Sequence, residues 1–258
     1  MSAFKAVVIA ATGLSLLVAA RTTAAEDLTV VSKESGTRGV GGTSTLYISA
    51  TKIRLSDPNH DTIFDGASGK MAVLDPQKKV YWESSAEERE AAFRQLEEQM
   101  KKMQEQLANL PPAIREKMAG ATGAAGASIT VQKGTGTKKI AGYDCEQYLI
   151  SMGETIKIEK WVTQDLQMPL TLFDAEKAKF AGNPMLKNFA RLAEEMKKIK
   201  GFPLGETTTI KGLPGVGGET SREATEVKKG PIDPSVFAIP AGYTKVESPF
   251  TRMSAGKR

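Results

Sequence analysis

The sequence has almost none of the side chains on which most catalytic and metal sites depend. Its 258 residues include one cysteine, Cys145, and one histidine, His60. A single cysteine excludes an internal disulfide, and the two counts together exclude zinc sites built from Cys and His. A Ser-His-Asp or Cys-His catalytic group would have to use His60. We therefore expect a protein without enzymatic activity, without a metal and without a cofactor.

Long hydrophobic runs are also missing, apart from one at the N-terminus. After Lys5, residues 6–20 carry no charge, and small residues follow up to Ala25. This pattern is typical of a secretory signal peptide, and the run is shorter than the roughly 20 residues of a transmembrane helix. We predict a signal peptide over residues 1–25 and a periplasmic or secreted protein with no transmembrane segment after cleavage. No cysteine stands directly after the run, where a lipoprotein signal needs one, so the chain is not predicted to be a lipoprotein.

Charge of one sign is not in large excess. The formal net charge is +5, from 35 basic and 30 acidic residues. Nucleic-acid binding depends on clustered cations rather than on a small net excess. We therefore expect no nucleic-acid partner.

Short strands separated by turns are predicted over residues 28–84. The segment TSTLYISATKIRLS shifts its apolar positions by one residue before Ile53, which predicts a single strand with a β-bulge. TIFDG, KMAVLD and KKVYWES follow as further strands, with turns at DPNHD and DPQK. The pattern predicts an antiparallel meander.

Two amphipathic helical segments interrupt the strands. The first begins at Ser85, which has the capping-box spacing to Glu88, and belongs to a helical insertion over residues 85–127. The second spans residues 174–200, after a predicted hairpin at Gly153. Strands return after residue 201, and residues 248–258 are predicted to be a flexible tail. Four Gly-rich stretches, among them GTGTKK, lack the rest of a phosphate-binding motif and are interpreted as turns.

The two helices carry apolar stripes that contain methionine, and three interpretations stay open. Such stripes usually pack against a sheet or against each other. They could instead line a cavity for an apolar ligand, or project and bind another protein. The residues that would line the cavity are Phe93, Leu96, Met100, Met103, Met185, Phe189, Leu192 and Met196.

Cys145 is interpreted as a packing residue. It lies between Asp144 and Glu146 on a predicted strand, and these negative charges would raise the pKa of a thiol rather than activate it. We expect a buried and unreactive side chain.

Several blocks of the sequence resemble the bacterial domain of unknown function 4412. They are ATKIRLSDPNHDTIFDGASGKMAVLDPQKKVYWE, IAGYDCEQYLI, IEKWVTQD and VFAIPAGYTKV. That family is similar in turn to the LolA/LolB lipoprotein-localisation superfamily. The resemblance implies a curved antiparallel half-barrel, helices that close its concave face, and a cavity for a lipid or acyl chain. It supplies no catalytic residue, and the insertion over residues 85–127 departs from the family pattern.

Taken together, the sequence predicts an α+β protein with a single LolA-like domain over residues 26–247. A curved antiparallel β-sheet is expected, with the helices covering its concave face. The predicted function is non-enzymatic binding of a hydrophobic ligand, such as a lipid or a lipoprotein acyl chain, in the bacterial cell envelope. The alternative is an envelope protein-protein interaction module with a filled core and no ligand.

Overall fold

The computed structural model of the protein describes residues 26–37, 41–57, 59–108, 129–167, 199–211 and 217–254. The strands in these ranges are β1 (Leu28–Gly36), β2 (Gly41–Ile48), β3 (Lys52–Ser56), β4 (Asp61–Asp65), β5 (Lys70–Asp75), β6 (Val80–Ser84), β7 (Ile129–Ile140), β8 (Tyr143–Met152), β9 (Ile156–Thr163), β10 (Phe202–Ile210), β11 (Gly218–Lys229) and β12 (Thr244–Lys245). Two α-helices, α1 (Ala86–Ala108) and α2 (Pro249–Ser254), and a 3-10 helix (Pro234–Phe237) complete the described elements.

All twelve strands belong to one sheet. Their order is β12, β6, β5, β4, β3, β2, β1, β11, β10, β9, β8, β7. Every neighbouring pair is antiparallel except β12 and β6, which are parallel. The described residues thus form a large, antiparallel-rich open sheet with few helices, and β1 to β6 form the predicted meander.

Residues 43–56 form parts of two strands rather than the single bulged strand that the sequence predicts. The backbone N–H of Ser49 donates to the carbonyl of Lys52 at 2.8 Å and closes a turn between β2 and β3. Ile48 then lies directly opposite Ile53. The one-residue shift in the apolar pattern comes from the reversal of the chain, because residues that are opposite in a hairpin share a face.

The sheet is curled between β7 and β11. The ammonium group of Lys138 on β7 lies 2.6 Å from a carboxylate oxygen of Glu223 on β11. Three strands separate β7 from β11, so in a flat sheet they would lie roughly 19 Å apart, at about 4.8 Å per strand. Lys138 also lies 4.5 Å from the ring centroid of Trp161 on β9. The sheet therefore curls towards the face that carries Trp161.

The GTGTKK stretch is part of β7, which corrects its interpretation as a flexible turn. An added Cβ at Gly136 would lie 2.9 Å from Cη2 of Trp161, and one at Gly134 would clash with the amide of Gln147. The glycines are needed because the backbone of β7 passes very close to side chains of β8 and β9. Close packing, not turn formation, explains this part of the sequence.

Helix α1 begins as the sequence predicts. The backbone N–H of Ser85 donates to a carboxylate oxygen of Glu88 at 2.9 Å, and the backbone N–H of Glu88 donates to Oγ of Ser85 at 3.1 Å. Arg89, one residue later, is buried and was not predicted as a structural residue. Its guanidinium donates to the carbonyls of Ser84 and Gly69 at 3.0 and 2.7 Å. These bonds fix the start of α1 against the end of β6 and the β4–β5 turn.

The C-terminal residues differ from the predicted flexible tail, because residues 249–254 form α2. The ring of Phe250 makes edge-to-face contacts with Trp82 on β6 and Phe93 on α1, with both centroid distances 5.7 Å. We call these three residues the aromatic junction. Such contacts contribute about 0.5–1.5 kcal/mol each beyond the area that they bury. The packing of Phe250 is a tertiary interaction that the pattern of the last residues does not show.

The segment before α2 covers the other face of the meander. Tyr81, Ile239 and Tyr243 pack against a small core of Ile63, Ala72 and Leu74. The guanidinium of Arg54 forms an ion pair with Asp61 and donates to the carbonyl of Val236 at 2.6 Å. The bond to Asp61 raises the pKa of Arg54, although burial opposes that shift.

Candidate functional site

Four charged side chains of alternating sign lie in a line across four neighbouring strands. Lys160 on β9 is directly opposite Glu206 on β10, Glu206 is opposite Arg222 on β11, and Arg222 is opposite Glu34 on β1. Residues that are directly opposite share a face and have Cβ atoms roughly 4.5–5.5 Å apart. We call Lys160, Glu206, Arg222 and Glu34 the charged row.

The row is partly removed from solvent. Lys160 is only 8% exposed and forms an ion pair with Glu206. Burial by itself would raise the pKa of Glu206, but the ammonium of Lys160 and the guanidinium of Arg222 outweigh it and the pKa is lowered. Glu206 therefore carries a negative charge at neutral pH.

Arg222 and Glu34 form the more accessible end of the row. Both are half-buried. The hydroxyl of Ser44, a buried residue on β2, donates to Oε1 of Glu34 at 2.7 Å. That hydrogen bond orients the carboxylate of Glu34 beside Arg222.

An apolar patch lies on three neighbouring strands next to the row. We call it the isoleucine patch, and its six members are Ile129, Val131, Ile150, Met152, Ile156 and Ile158. Ile150 and Met152 are buried, whereas the other four side chains are half-buried. Ile199 packs against the patch, and residues 168–198 lie outside the described residues. The patch is therefore an apolar surface that the described residues cover only in part.

The isoleucine patch and the charged row share one face of the sheet. Ile158 and Ile156 precede Lys160 by two and four residues on β9, and side chains two residues apart in a strand point the same way. Ile158 is opposite Ile150, which places the β8 members on that face as well. Trp161 follows Lys160 directly on β9 and points to the other face, so the patch and the row lie on the outer face of the curl, where an apolar surface runs up to a line of charges.

The row also marks the edge of the buried core. On its other side, two residues further along each strand, lie Val162, Ala224 and Ser32, all buried. Ala224 belongs to the main core, together with Leu204 and Phe202. On β9, Lys160 therefore separates a densely packed region from the half-buried isoleucine patch.

Of the eight residues that the sequence predicts to line a cavity, two have described side chains. Phe93 is 7% exposed and packs in the aromatic junction, and Leu96 lies half-buried one turn later on α1. Met100 and Met103 are also on α1, but their side chains are outside the described residues. The second stripe, Met185, Phe189, Leu192 and Met196, lies outside the described residues altogether. A cavity lined by these helices, and helices over the concave face, stay predictions.

Cys145 lies near the start of β8 and is 1% exposed. Burial raises the pKa of its thiol. An open depression of about 590 Å³ adjoins it, and seven of its eight lining residues are polar or charged. Such a lining does not suit an apolar ligand, so this depression is a weaker candidate than the isoleucine patch.

The sequence does not identify the charged row. The only local signal is Lys160, which occupies an inward position in an otherwise apolar alternation with Ile156 and Ile158. The other members of the row are far away in the sequence, 46 residues at Glu206 and more than a hundred residues at Glu34, so no motif connects them.

The described strands form one curled, mostly antiparallel sheet. A match to a family model identifies the family of the chain. The model described as "Domain of unknown function (DUF4412)" matches residues 113–243, just over half of the chain. The chain therefore belongs to this family, as its sequence blocks suggest. The matched segment contains β7 to β11 and the 3-10 helix, whereas the block at residues 50–83 precedes it. No curated protein matches the sequence.

Several solved structures are similar at low identity. PNGF-II has a TM-score of 0.38 and 14% identity over 90% of this chain. The chain spans about a third of the length of PNGF-II, 33%. An uncharacterized conserved protein from Thermus thermophilus has a TM-score of 0.44 and 7% identity, covering 87% of this chain and 91% of that one. The LolA superfamily protein NE2245 from Nitrosomonas europaea has a TM-score of 0.26 and 8% identity, covering 84% and 92%. All three scores are below 0.5, so the fold description depends on the sheet itself.

Among the described residues, none of the helices has the length and apolar character needed to cross a membrane.

Proposed function

We propose that this protein binds a hydrophobic ligand, a lipid or a lipoprotein acyl chain, in the bacterial cell envelope and catalyses no reaction. The observation that carries the proposal is the isoleucine patch, where four of six apolar side chains are only half-buried on one face of the sheet. Contiguous apolar surface that is not fully covered is typical of a binding site rather than of a structural core.

The proposed location in the envelope depends on the N-terminal sequence. Residues 1–25 have the pattern of a cleaved signal peptide. We expect the mature protein to begin near Glu26 and to be recovered from the periplasm or the medium. Full-length protein beginning at Met1 in the cytoplasm would contradict this part of the proposal.

The test of ligand binding compares the two faces of the β8–β9 hairpin. The double variant Ile156→Thr/Ile158→Thr keeps β-branched side chains and makes the isoleucine patch more polar. Leu149→Thr is the matched control, because Leu149 lies on β8, is 43% exposed and is opposite Glu159 on the other face. Displacement of a fluorescent fatty acid measures affinity, and thermal melts measure folding.

We expect the double variant to bind the fatty acid about five- to thirtyfold more weakly, since about 1–2 kcal/mol of apolar contact is lost. Leu149→Thr should bind like the unchanged protein. Native mass spectrometry of the purified mature protein, followed by lipid extraction, identifies the natural ligand. Equal affinity of all three proteins, or no uptake by the unchanged protein, would contradict the proposal.

One observation favours the alternative, a protein-interaction module with a filled core. Phe93, the first member of the predicted cavity stripe, is 7% exposed and packs on Phe250. The variant Met100→Asp separates the two functions. If the α1 stripe lines a ligand cavity, this variant should lose fatty-acid uptake and keep its fold. If the stripe is filled core, an unpaired buried carboxylate should unfold the protein.

A further inference from the structure

We propose that the charged row binds the zwitterionic headgroup of an amphiphilic ligand whose acyl chain lies on the isoleucine patch. This inference rests on the proposed function, because it assumes that the patch takes an apolar chain. It adds a ligand class, a single-chain or double-chain lipid with one negative and one positive group, and it assigns the polar contacts to named residues.

The patch and the row lie close together on one face of the sheet. Ile158 is two residues before Lys160, so their Cα atoms are roughly 7 Å apart along β9. A chain that lies on Ile156 and Ile158 and continues along the strand meets the charged row at Lys160. The headgroup of a bound lipid would therefore lie over the row, and it would extend across β10, roughly 10 Å at about 4.8 Å per strand, to reach Arg222 on β11.

The charge pattern of the row suits a zwitterion. Lys160 and Glu206 form an ion pair, so they largely neutralise each other. Arg222 and Glu34 are half-buried, directly opposite each other, and of opposite sign. A headgroup with only a negative charge would be attracted by Arg222 but would also lie beside Glu34. A zwitterion can direct its anionic group to Arg222 and its cationic group to Glu34, so that both charges have a partner.

The partly buried position of the row indicates a role beyond stability. Charges in a partly buried position lose hydration, and apolar residues of similar size would often give equal or greater stability. Lys160, the buried member of the row, interrupts a face of β9 that is apolar on both of its sides, at Ile158 and at Val162. Stability alone does not explain a buried charge there, whereas recognition of a polar group does.

The test uses the purified mature protein and three lipids of the same acyl chain, each below its critical micelle concentration. They are a lysophosphatidylethanolamine, which is zwitterionic, a fatty acid, which is anionic, and a monoacylglycerol, which is uncharged. Displacement of one fluorescent fatty-acid probe ranks the three affinities. The variants are Arg222→Gln and, as matched control, Glu223→Gln, the next residue on β11, which lies on the other face and pairs with Lys138.

We expect the zwitterionic lipid to bind at least tenfold more tightly than the fatty acid or the monoacylglycerol. Arg222→Gln should remove that preference and leave the affinity for the monoacylglycerol unchanged, whereas Glu223→Gln should change neither. Arg222→Lys, which keeps the charge, should restore part of the preference. Thermal melts of each variant confirm that it is folded.

Three results would overturn the proposal, and they can be told apart. Equal affinity for all three lipids would leave the hydrophobic ligand and reject the role of the row. Tightest binding of the fatty acid would assign the row to anions alone. Binding of none of the lipids would reject the proposed function together with this inference.

Discussion

The aromatic junction and the isoleucine patch are both apolar regions of one sheet, but the protein covers the junction more completely than the patch. At the junction, α2 returns to the sheet and places Phe250 between Trp82 and Phe93. At the patch, four of the six side chains stay half-buried, and Ile199 is the described residue that packs on them. The protein's own aromatic rings close the junction, whereas the patch keeps apolar surface that a ligand could contact.

The difference separates structural from functional hydrophobicity. A side chain that is fully enclosed contributes its whole transfer free energy to folding, because water is excluded from it in the folded state. A half-buried side chain contributes less, and its remaining exposed area can be used by a ligand. The same residue type should therefore have different energetic roles on the two sides of the charged row.

The largest effect is expected at the aromatic junction. Phe93→Ala removes a buried ring and leaves a cavity between α1 and α2, which typically costs about 3–5 kcal/mol. Chemical denaturation of the mature protein measures this loss, with Arg94→Ala, an exposed position on α1, as control. A loss below about 1 kcal/mol would mean that the junction is not part of the stable core.

The charged row should come next, and its contribution should depend on pH. The pKa of Glu206 is lowered from 4.5 in the folded protein. Its stabilising contribution is thus fully present above pH 4.5 and decreases as the pH falls from there through the folded pKa. Glu206→Gln should cost about 1.5–3 kcal/mol near neutral pH, the range for a hydrogen bond to a charged group.

Stability curves of Glu206→Gln and the unchanged protein, measured from pH 7 to pH 3, check this dependence. The two should converge as the pH falls below 4.5. A difference that stays constant over the whole range would show that the charge of Glu206 is not what stabilises the sheet.

Cys145 should show a smaller effect. Because the thiol is 1% exposed and burial raises its pKa, we expect slow labelling by a thiol reagent at neutral pH. Cys145→Ala should fold, bind like the unchanged protein, and lose about 1 kcal/mol of stability for the missing sulfur. Rapid labelling of the native protein, or loss of binding, would give this residue a functional role instead.

The smallest effects come from one conservative change made on both sides of the row. Ile48→Val, at a side chain that is 1% exposed in the main core, should cost about 1 kcal/mol. Ile158→Val, in the half-buried patch, should cost about 0.5 kcal/mol or less and weaken fatty-acid binding slightly. Equal costs at the two positions would remove the distinction between core and patch.

The sequence predicts local features of this protein well because their causes are local. The capping box of Ser85 and Glu88 and the hairpin at Gly153 each depend on a few consecutive residues, and the structure contains both. The meander of β1 to β6 follows for a related reason, since neighbouring strands joined by short turns pair with each other. The error at residues 43–56 arose because a bulge and a tight hairpin produce the same one-residue shift in the apolar pattern.

By itself, the sequence determined most of the strands, the start of α1, the burial of Cys145 and the family to which the chain belongs. Only the tertiary structure decided that β11 inserts between β1 and β10, and this placement assembles the charged row from residues on strands distant in the sequence. It also decided that Phe250 packs into the junction and that Gly136 lies against Trp161. These features depend on contacts between distant parts of the chain, which hydrophobic periodicity and turn propensity do not encode.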